Sequence, residues 1–284
     1  MKLKIAIQKS GRLHDDSITL LKNAGIKVEN GDDKLLVTAS NFPIEVLFLR
    51  NSDIPQYLAD GVTDMAIIGS NLVAESEQQC RIIHPLGFSR CRLSMAIPRQ
   101  TEYNGTGWFN GKRIATSYPN TLRRWLKDNN FEADIHVISG SVEIAPNIGL
   151  ADAICDIVSS GSTLFRNGLS EVETILRSEA CLVDSGSLSP EKQTIADELL
   201  FRIKSVLASR NTSYILMNVP NDRIGAVSSI LPGMKSPTVM PLVDPGWSSL
   251  HSVISDDDFW GIIGKLKENG AEGILIIPID KMIM

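Results

Sequence analysis

Residues 44–69 read IEVLFLRNSDIPQYLADGVTDMAIIG and contain two apolar segments separated by a short amphipathic one. We predict strands over Ile44–Leu49 and Asp64–Gly69, with a helix over Ile54–Ala59 between them. Both strands are apolar along almost their whole length, which is typical of strands that are buried on both faces of a sheet. A strand–helix–strand order is the usual connection between parallel strands. This stretch therefore predicts an α/β fold with a mainly parallel sheet.

The same alternation extends in both directions from residues 44–69. A strand over Leu3–Ile7 and a helix over Ser17–Ala24 precede it, and a turn-rich break follows at residues 100–111. After the break we predict strands Arg113–Thr116, Ile135–Ile138 and Ala153–Val158, and helices Pro119–Asn129 and Val142–Asn147. Two α/β lobes with a cleft between them fit this pattern better than one long sheet. We expect lobe I over residues 1–98 with a return segment at about 172–208, and lobe II over residues 99–171.

The pattern changes after Asn211, beyond a long helix that opens at Ser189-Pro190. Residues 211–284 predict the order strand, helix, strand, strand, helix, strand. The predicted strands are Tyr214–Val219, Thr238–Val243, Leu250–Ile254 and Gly273–Ile277, and the predicted helices are Asp222–Leu231 and about Asp257–Lys267. This order within roughly 70 residues is the ferredoxin-like arrangement. We therefore expect a small third domain, separate from the two-lobed core.

Composition and charge narrow the class of protein. Hydrophobic residues make up 43% of the 284 residues and charged residues 21%, which is typical of globular proteins with a packed core. The net charge of −5 gives no broad basic surface, so we expect no nucleic-acid partner. The first eight residues alternate charged and apolar side chains, and no segment approaches the ~18 apolar residues of a membrane span. We expect a cytoplasmic protein without a membrane segment.

The segment most informative about chemistry is ADAICDIVSSGSTL, residues 151–164. An apolar strand ends there in a loop of small hydroxyl residues around Gly161, and backbone N–H groups of such a loop suit a phosphate group. Asp156, inside the strand end, is placed to accept hydrogen bonds from ribose hydroxyls. The spacing matches neither the Walker A loop nor the dinucleotide-binding fingerprint. From spacing alone, phosphate binding and a plain strand–turn–helix connection remain equally open.

Five motifs in order along the chain resemble those of the ATP phosphoribosyltransferase family. They are KSGRL (9–13), GKRIATSYP (111–119), EIAP (143–146) with GLADAICDIVSSGSTL (149–164), SPT (236–238), and GAEGIL (270–275) with PIDKM (278–282). The resemblance covers essentially the whole chain, including the predicted third domain. Five motifs in register are far more specific than any one of them.

The resemblance implies a reaction and an architecture. The family transfers the 5-phosphoribosyl group of phosphoribosyl pyrophosphate to N1 of ATP, releases pyrophosphate, and uses Mg²⁺ on the pyrophosphate; this reaction opens histidine biosynthesis. Its core has two lobes of the periplasmic-binding-protein type. Long-form members add a ferredoxin-like (ACT-like) domain that binds histidine as a feedback inhibitor, and they form homo-oligomers, as dimers and hexamers.

The resemblance also implies roles for individual residues. The catalytic set is Lys9, Arg12, Glu143 and Asp156. The phosphoribosyl-pyrophosphate set is Asp152, Asp156, Ser159, Ser160, Gly161, Ser162 and Thr163. The ATP set is Gly11, Arg12, Arg50, Asp64 and Tyr118. The histidine set is Asn218, Ser236, Thr238 and Gly273, and no side chain is assigned to a metal.

Simpler interpretations of some residues, and other functions, remain open at this stage. Lys9 and Arg12 are also consistent with ordinary exposed cations, and Asp64 with a cap at the surface. Prephenate dehydratases pair a similar core with a small amino-acid-binding domain, but they do not need the hydroxyl-rich loop. A cytosolic amino-acid sensor on the same two-lobed core is a non-enzymatic alternative. Transfer of a ribosyl group through an oxocarbenium-like carbon needs orientation and charge stabilisation rather than a nucleophile, and the sequence shows no nucleophilic triad.

Overall fold

The computed structural model describes residues 1–28, 34–231 and 236–283. The chain divides into two compact units. The first comprises Met1–Lys22 and Ile26–Ala196, and the second comprises Asn23–Gly25 and Asp197–Met284. The division falls inside a long helix rather than at residue 211, because the second half of that helix has most of its contacts with the C-terminal elements.

The first unit contains strands and helices in alternation over most of its length. The strands are β1 (Leu3–Gln8), β2 (Leu36–Thr38), β3 (Ile44–Leu49), β4 (Met65–Gly69), β5 (Arg81–Pro85), β6 (Cys91–Pro98), β7 (Arg113–Thr116), β8 (Asp134–Val137), β9 (Ala153–Val158), β10 (Leu169–Ser178) and β11 (Ala180–Asp184). The helices are α1 (Arg12–Asn23), α2 (Ile54–Ala59), α3 (Ser70–Glu75), α4 (Pro119–Asp128), α5 (Ser162–Arg166) and α6 (Pro190–Ser209), which continues into the second unit. The predicted bounds of β3, β7 and β9 are confirmed at both ends.

Two sheets form the two lobes of this unit. The sheet of lobe I has the order β2-β3-β1-β4-β11-β5, and the sheet of lobe II has the order β10-β6-β9-β7-β8. Only β3-β1-β4 and β9-β7-β8 run parallel, and the remaining neighbours are antiparallel. The two lobes are as predicted, but the prediction of a mainly parallel sheet was wrong. Apart from β2, the strands that have only antiparallel neighbours are β5, β6, β10 and β11, and these flank the two crossings between the lobes.

The chain crosses between the lobes twice, and the crossings differ from the predicted boundaries at 98/99 and 171/172. Strand β6 lies wholly in the sheet of lobe II, as does β10, so lobe II spans Cys91–Ser178. The turn-rich residues 100–111 lie inside lobe II and do not mark a border. The two crossings run side by side, since the Ala180 N–H donates to the Phe88 oxygen (3.0 Å) and the Leu86 N–H to the Ala180 oxygen (2.9 Å).

Alternation along β9 gives lobe II an apolar core on both faces of its sheet. Ala153 and Cys155 lie in one cluster with Phe109, whereas Ile154 and Val158 lie in the other with residues of the 142–145 turn. Because side chains alternate along a strand, Asp156 lies on the same face as Ile154 and Val158. The strand therefore brings a carboxyl group next to apolar packing, close to the loop that follows.

The C-terminal elements are β12 (Thr212–Pro220), α7 (Ile224–Ile230), β13 (Thr238–Pro241), β14 (Trp247–Ser255), α8 (Asp256–Glu268) and β15 (Glu272–Pro278). The sheet order is β13-β14-β12-β15, and each neighbouring pair is antiparallel. This arrangement is the ferredoxin-like fold that the sequence predicts. Its core forms where alternate residues of β12 and β14 face the two helices, as for Ile215, Met217 and Leu250. Among the described residues, no helix combines the length and apolar character needed to span a bilayer.

Candidate active site in the cleft between the lobes

The parallel strands of both lobes end at one cleft inside the first unit, as expected for ligand sites in α/β sheets. Lobe I contributes Gln8 and Gly69 from the ends of β1 and β4, and Asn51 from beyond β3. Lobe II contributes Tyr118 and Ser159. These residues, with Arg12, Leu13, Asn71, Ser89, Arg90, Cys91, Ile157 and Ala180, line a cavity of about 280 Å³. We call it the cationic cavity, because Arg12 and Arg90 lie in its wall.

A second cavity of about 540 Å³ shares Asn51 and Tyr118 with the first. The rest of its wall is Ser52, Pro55, Gln56, Leu72, Glu75, Ser76, Glu77, Gln78, Ser117 and Asn120. We call it the polar cavity, because its described lining residues include amides, hydroxyls and two glutamates but neither lysine nor arginine. The cleft therefore has one end suited to anions and one suited to uncharged polar groups.

Asn51 marks the junction of the two cavities. Its Oδ1 is buried and accepts no hydrogen bond from any described residue. A buried acceptor without a donor costs about 1–3 kcal/mol, so a ligand that supplies a donor recovers this free energy. One signal in the sequence could have indicated Asn51: it lies just beyond the end of β3, a strand of the parallel part of the sheet.

Tyr118 is held by Asn71 of lobe I, which is itself bonded to Ser178 at the end of β10, and the sequence analysis missed both residues. The Asn71 amide donates to the Tyr118 hydroxyl (3.2 Å), and the Ser178 hydroxyl donates to Asn71 Oδ1 (2.8 Å). The Asn71 backbone N–H donates in turn to Ser178 Oγ (2.9 Å). Burial, reinforced by the charge of Asp156, raises the pKa of Tyr118 to about 12. The Tyr118 phenol is therefore neutral at physiological pH.

Gly69 has no room for a side chain beside this network. A Cβ at Gly69 would lie 2.2 Å from Asn71 Oδ1, and Asn71 is fixed on both sides by Ser178 and Tyr118. We expect Gly69→Ala to displace Asn71 and Tyr118 and to lower kcat/KM about 100-fold, as for a reacting group misplaced by about 1 Å. Steady-state kinetics checks this. Gly107→Ala is the control, because no atom lies within 4 Å of its added Cβ; equal activity of both variants would contradict the expectation.

The hydroxyl-rich loop after β9 is open to solvent at Ser159, Ser160, Ser162 and Thr163. Gly161 adopts φ +80°, and the Phe165 N–H donates to its carbonyl oxygen (3.0 Å). Among the described residues, no acceptor receives a hydrogen bond from the N–H of Gly161 or Thr163. These amides therefore remain available to an anion.

The start of this loop is fixed from a neighbouring strand. Arg92 on β6 donates to the Ser159 carbonyl oxygen (3.2 Å) and forms a bidentate pair with Glu171 at 2.5 Å. Ser94 Oγ also donates to Glu171 (2.8 Å). The pair is partly buried and its planar fork matches the carboxylate, so Arg92 holds Ser159 in one orientation.

Asp156 and Glu143 form the acidic part of the lobe II wall. Burial raises the pKa of Asp156 to about 6, the backbone N–H of Ile157 opposes this rise, and the negative charge of Glu143 adds to it. Glu143 lies on the short turn Val142–Ile144, half-buried above the same face of β9. Asp156 therefore changes charge near neutral pH, whereas an exposed aspartate does not.

Most of the residues that the resemblance assigns to catalysis and substrate binding lie at or near the cleft, and two of them, described below, lie away from it. Arg12, Tyr118 and Ser159 line the cationic cavity. Lys9 and Gly11 lie in the same segment after β1, and Arg50 directly precedes Asn51; Lys9 and Arg50 are exposed.

Asp64 and Asp152 lie at the other end of their strands. Asp64 precedes β4, where it accepts hydrogen bonds from the Lys4 N–H (2.8 Å) and from Lys192 Nζ (2.7 Å). Asp152 precedes β9 and pairs with Arg113 (2.8 Å), which lowers the pKa of Asp152. Each strand is about 15 Å or more long at ~3.3 Å per residue, so both carboxylates lie away from the cleft and have structural partners. The structure corrects their assignment to the ATP and phosphoribosyl-pyrophosphate sets.

The residues expected around histidine lie in the C-terminal domain in two groups. Asn218 on β12 adjoins Gly273, whose added Cβ would lie 3.4 Å from Asn218 Nδ2. Thr238 begins β13 and pairs with His251 of β14, so a strand separates it from Asn218. Ser236 is exposed just before β13. His251, which pairs with Thr238, was not among the predicted residues. Its Nδ1 lies 3.0 Å from the Tyr214 hydroxyl, and its Nε2 lies 2.8 Å from Ser249 Oγ.

Two family models match consecutive parts of the chain after residue 49. The model described as ATP phosphoribosyltransferase matches residues 50–205, and the model of the HisG C-terminal domain matches residues 209–281. An ATP phosphoribosyltransferase of Cytophaga hutchinsonii is 57% identical over 281 residues, covering 99% of this chain and 98% of the relative. Another from Bacteroides fragilis is 55% identical over 282 residues, covering 99% of this chain and 100% of the relative.

Solved structures give the same picture for the core. An ATP phosphoribosyl transferase (HisG:HisZ) complex from Thermotoga maritima aligns with a TM-score of 0.61 and 29% identity, over 71% of this chain and 98% of the other. A periplasmic sulfonate-binding protein from Methylobacillus flagellatus aligns with a TM-score of 0.50 and 13% identity, over 72% of this chain and 67% of the other. The second likeness concerns the fold alone, and it agrees with the expected type of two-lobed core.

Proposed function

This chain belongs to the ATP phosphoribosyltransferase family, and on that premise we propose that it transfers the 5-phosphoribosyl group of phosphoribosyl pyrophosphate to N1 of ATP, releasing pyrophosphate, as the first step of histidine biosynthesis. The observation that carries the proposal is the cleft itself. Its cationic cavity adjoins an exposed loop in which the amides of Gly161 and Thr163 have no described protein acceptor. Because the reaction draws on ATP, we propose that it takes place in the cytoplasm.

The loop after β9 is the proposed site of the 5-phosphate. The loop offers a cluster of uncharged hydrogen-bond donors. They are the amides of Gly161 and Thr163 and the hydroxyls of Ser159, Ser160 and Ser162. Clusters of backbone N–H groups in turns are anion-binding concavities. Arg92 supports this role indirectly, because it fixes the carbonyl at the start of the loop and leaves the amides beyond it free.

Asp156 and Glu143 are the proposed partners of the ribose. A carboxylate next to the loop accepts hydrogen bonds from ribose hydroxyls, and its negative charge favours the positive charge that develops at C1 as pyrophosphate leaves. Arg12 and Lys9 follow β1 on the opposite lobe, where they neutralise the departing pyrophosphate. Closure of the lobes would bring the two sets of charges to the two sides of the reacting carbon.

ATP is proposed to reach into the polar cavity, with the nucleoside next to Asn51 and Tyr118. Adenine and ribose carry no charge, and they suit a wall of amides and hydroxyls better than the cationic cavity does. The unpartnered Asn51 Oδ1 is an acceptor for an exocyclic amine or a hydroxyl. Tyr118 contributes a neutral phenol to both cavities.

Mg²⁺ is proposed to enter the site with the pyrophosphate group, where it neutralises charge on the leaving group. In the described part of the chain, no group of three or more His, Cys, Asp or Glu side chains is arranged around a common point. A Mg²⁺ ion that is held largely by substrate phosphates needs only one or two carboxylates from the protein. Asp156 and Glu143, the proposed partners of the ribose, are the carboxylates that we propose for this contribution.

Activity is expected to depend on pH through Asp156. Its pKa of about 6 means that the carboxyl is mostly protonated below that pH and mostly ionised above it. If the ionised form orients the ribose, kcat/KM falls as pH decreases through about 6, and a profile from pH 5 to 8 shows one acidic limb. In Asp156→Asn, activity is low and this limb is absent. An unchanged limb in that variant would assign the titration to another group.

The direct test of the function is to mix the full chain with ATP, phosphoribosyl pyrophosphate and Mg²⁺ and to follow the product by ultraviolet absorbance. Product formation only when both substrates are present supports the proposal, and the absence of product with both present contradicts it. Adding histidine to the same assay tests the proposed regulatory role of the C-terminal domain, and we expect it to inhibit the reaction.

Light scattering tests the proposed homo-oligomer, for which the Thermotoga maritima complex is a precedent of assembly in a related protein.

A further inference from the structure

Helix α4 of lobe II begins without a cap of its own. Its N-cap residue is Tyr118, whose side chain makes no capping hydrogen bond, and its first residue is Pro119, which has no N–H. The first-turn N–H groups of a helix have no acceptor within the helix. The N–H groups of Asn120 and Thr121 therefore depend on an acceptor from elsewhere.

Glu75, the last residue of α3 in lobe I, supplies that acceptor. Its Oε1 accepts the Asn120 N–H (2.8 Å), and its Oε2 accepts both the N–H (2.8 Å) and the hydroxyl (2.7 Å) of Thr121. The Asn120 side-chain amide also donates to the Glu75 carbonyl oxygen (3.1 Å). A carboxylate at this position satisfies the free donors and interacts favourably with the positive end of the helix dipole.

The same short helix of lobe I contacts the cleft wall of lobe II at a second point. Asn71, near the start of α3, donates to the Tyr118 hydroxyl, and Glu75, at its end, binds the two residues that follow Pro119. Arg124 of α4 also donates to the Ala74 carbonyl oxygen. Tyr118 is therefore held by lobe I both at its side chain and through the helix that begins next to it.

We propose that Glu75 is a positioning residue, which caps α4 across the cleft and thereby fixes Tyr118 in the wall that the two cavities share. Glu75 forms these contacts only when the lobes are together, because its three donors all belong to lobe II. Separation of the lobes would return the carboxylate and the N–H groups to water. The role in catalysis rests on the proposed function of the cleft, whereas the capping contact does not.

The test compares Glu75→Ala and Glu75→Gln with a control at the other end of α4, the helix that Glu75 caps. Asn129→Ala removes the Asn129 Nδ2 hydrogen bond to the Trp125 oxygen (2.8 Å) at the opposite end of α4, where no contact with lobe I is involved. We expect Glu75→Ala to lower kcat/KM for ATP at least about tenfold. Glu75→Gln should recover part of the loss, because one amide oxygen can still accept. Asn129→Ala should lower thermal stability without changing KM.

Amide hydrogen exchange over residues 118–124 provides a readout that does not depend on turnover. Exchange at Asn120 and Thr121 should accelerate in both Glu75 variants and stay unchanged in Asn129→Ala. Unchanged exchange in the Glu75 variants overturns the capping contact, whether or not the wild type turns over. If Asn129→Ala shows the same kinetic loss as Glu75→Ala, the positioning role of Glu75 is wrong. A wild type without turnover refutes the proposed function, while the exchange result still decides on Glu75.

Discussion

Arg12→Ala is expected to lower kcat/KM about 100- to 1000-fold, the usual loss when one group that stabilises transition-state charge is removed. Arg12 is the first residue of α1, in the segment that follows β1, and its guanidinium is largely exposed in the wall of the cationic cavity. Its ion pair within the helix, with Asp16 at 3.9 Å, is too long and too exposed to hold it strongly. The side chain is therefore free to meet a pyrophosphate group. Steady-state kinetics with each substrate varied in turn measures the loss.

The effect should depend on the geometry of the guanidinium as well as on its charge. Arg12→Lys keeps the charge but not the planar fork, so it should recover only part of the activity. The control is Arg223→Ala, because Arg223 is an exposed arginine of the C-terminal domain with a comparable ion pair to Asp222 (3.7 Å). Wild-type kinetics in Arg12→Ala would contradict the assignment of the cationic cavity to the leaving group.

Gly161→Val is expected to raise KM for phosphoribosyl pyrophosphate about 100-fold and to leave KM for ATP nearly unchanged. Gly161 adopts φ +80°, which a β-branched residue cannot adopt without strain, although the space around it is sufficient. Relief of the strain would turn the loop amides away from the phosphate. Two phosphate hydrogen bonds at about 1.5 kcal/mol each correspond to a change of roughly this size.

A matched variant separates loss of phosphate binding from general strain. Gly168 adopts φ +70° just beyond α5, and no atom lies within 4 Å of an added Cβ. Gly168→Val therefore introduces similar backbone strain outside the loop, and it should reduce stability while leaving the donor KM unchanged. A donor KM that rises equally in both variants would remove the loop from the binding site.

The sequence predicted the elements that have a strong periodicity of their own. Continuous apolar runs located β3, β4 and β9, and the amphipathic spacing located α4 and α8. The strands β2, β5, β6, β10 and β11 were missed. The antiparallel partners of β6, β10 and β11 are distant in sequence, so no local hairpin pattern indicates their pairing. For the same reason, the predicted border at residue 98 fell at the end of a strand of lobe II.

The misassigned acids show what a local pattern leaves undetermined. Asp64 and Asp152 each stand beside an apolar strand, as Asp156 does, but they precede the strand instead of lying at its carboxyl end. Only the carboxyl ends of β4 and β9 face the cleft, so the direction of the chain decides the role. Application of that rule would also have found Asn51 and Asn71. Nothing in the sequence indicated Ser178 or Glu75, because their functions depend on contacts across more than 40 residues.

The paired crossings between the lobes restrict how lobe II can move. Residues 86–91 and 178–180 form one hydrogen-bonded ribbon, held by the bonds of Ala180 with Leu86 and Phe88 and by the pairing of Cys91 with Ser178. A single connecting strand permits twisting and swivelling, whereas a two-stranded ribbon bends most easily about one axis across its plane. We therefore expect the cleft to open mainly by bending of this ribbon about one axis, so that the same surfaces of the two lobes meet again when it closes.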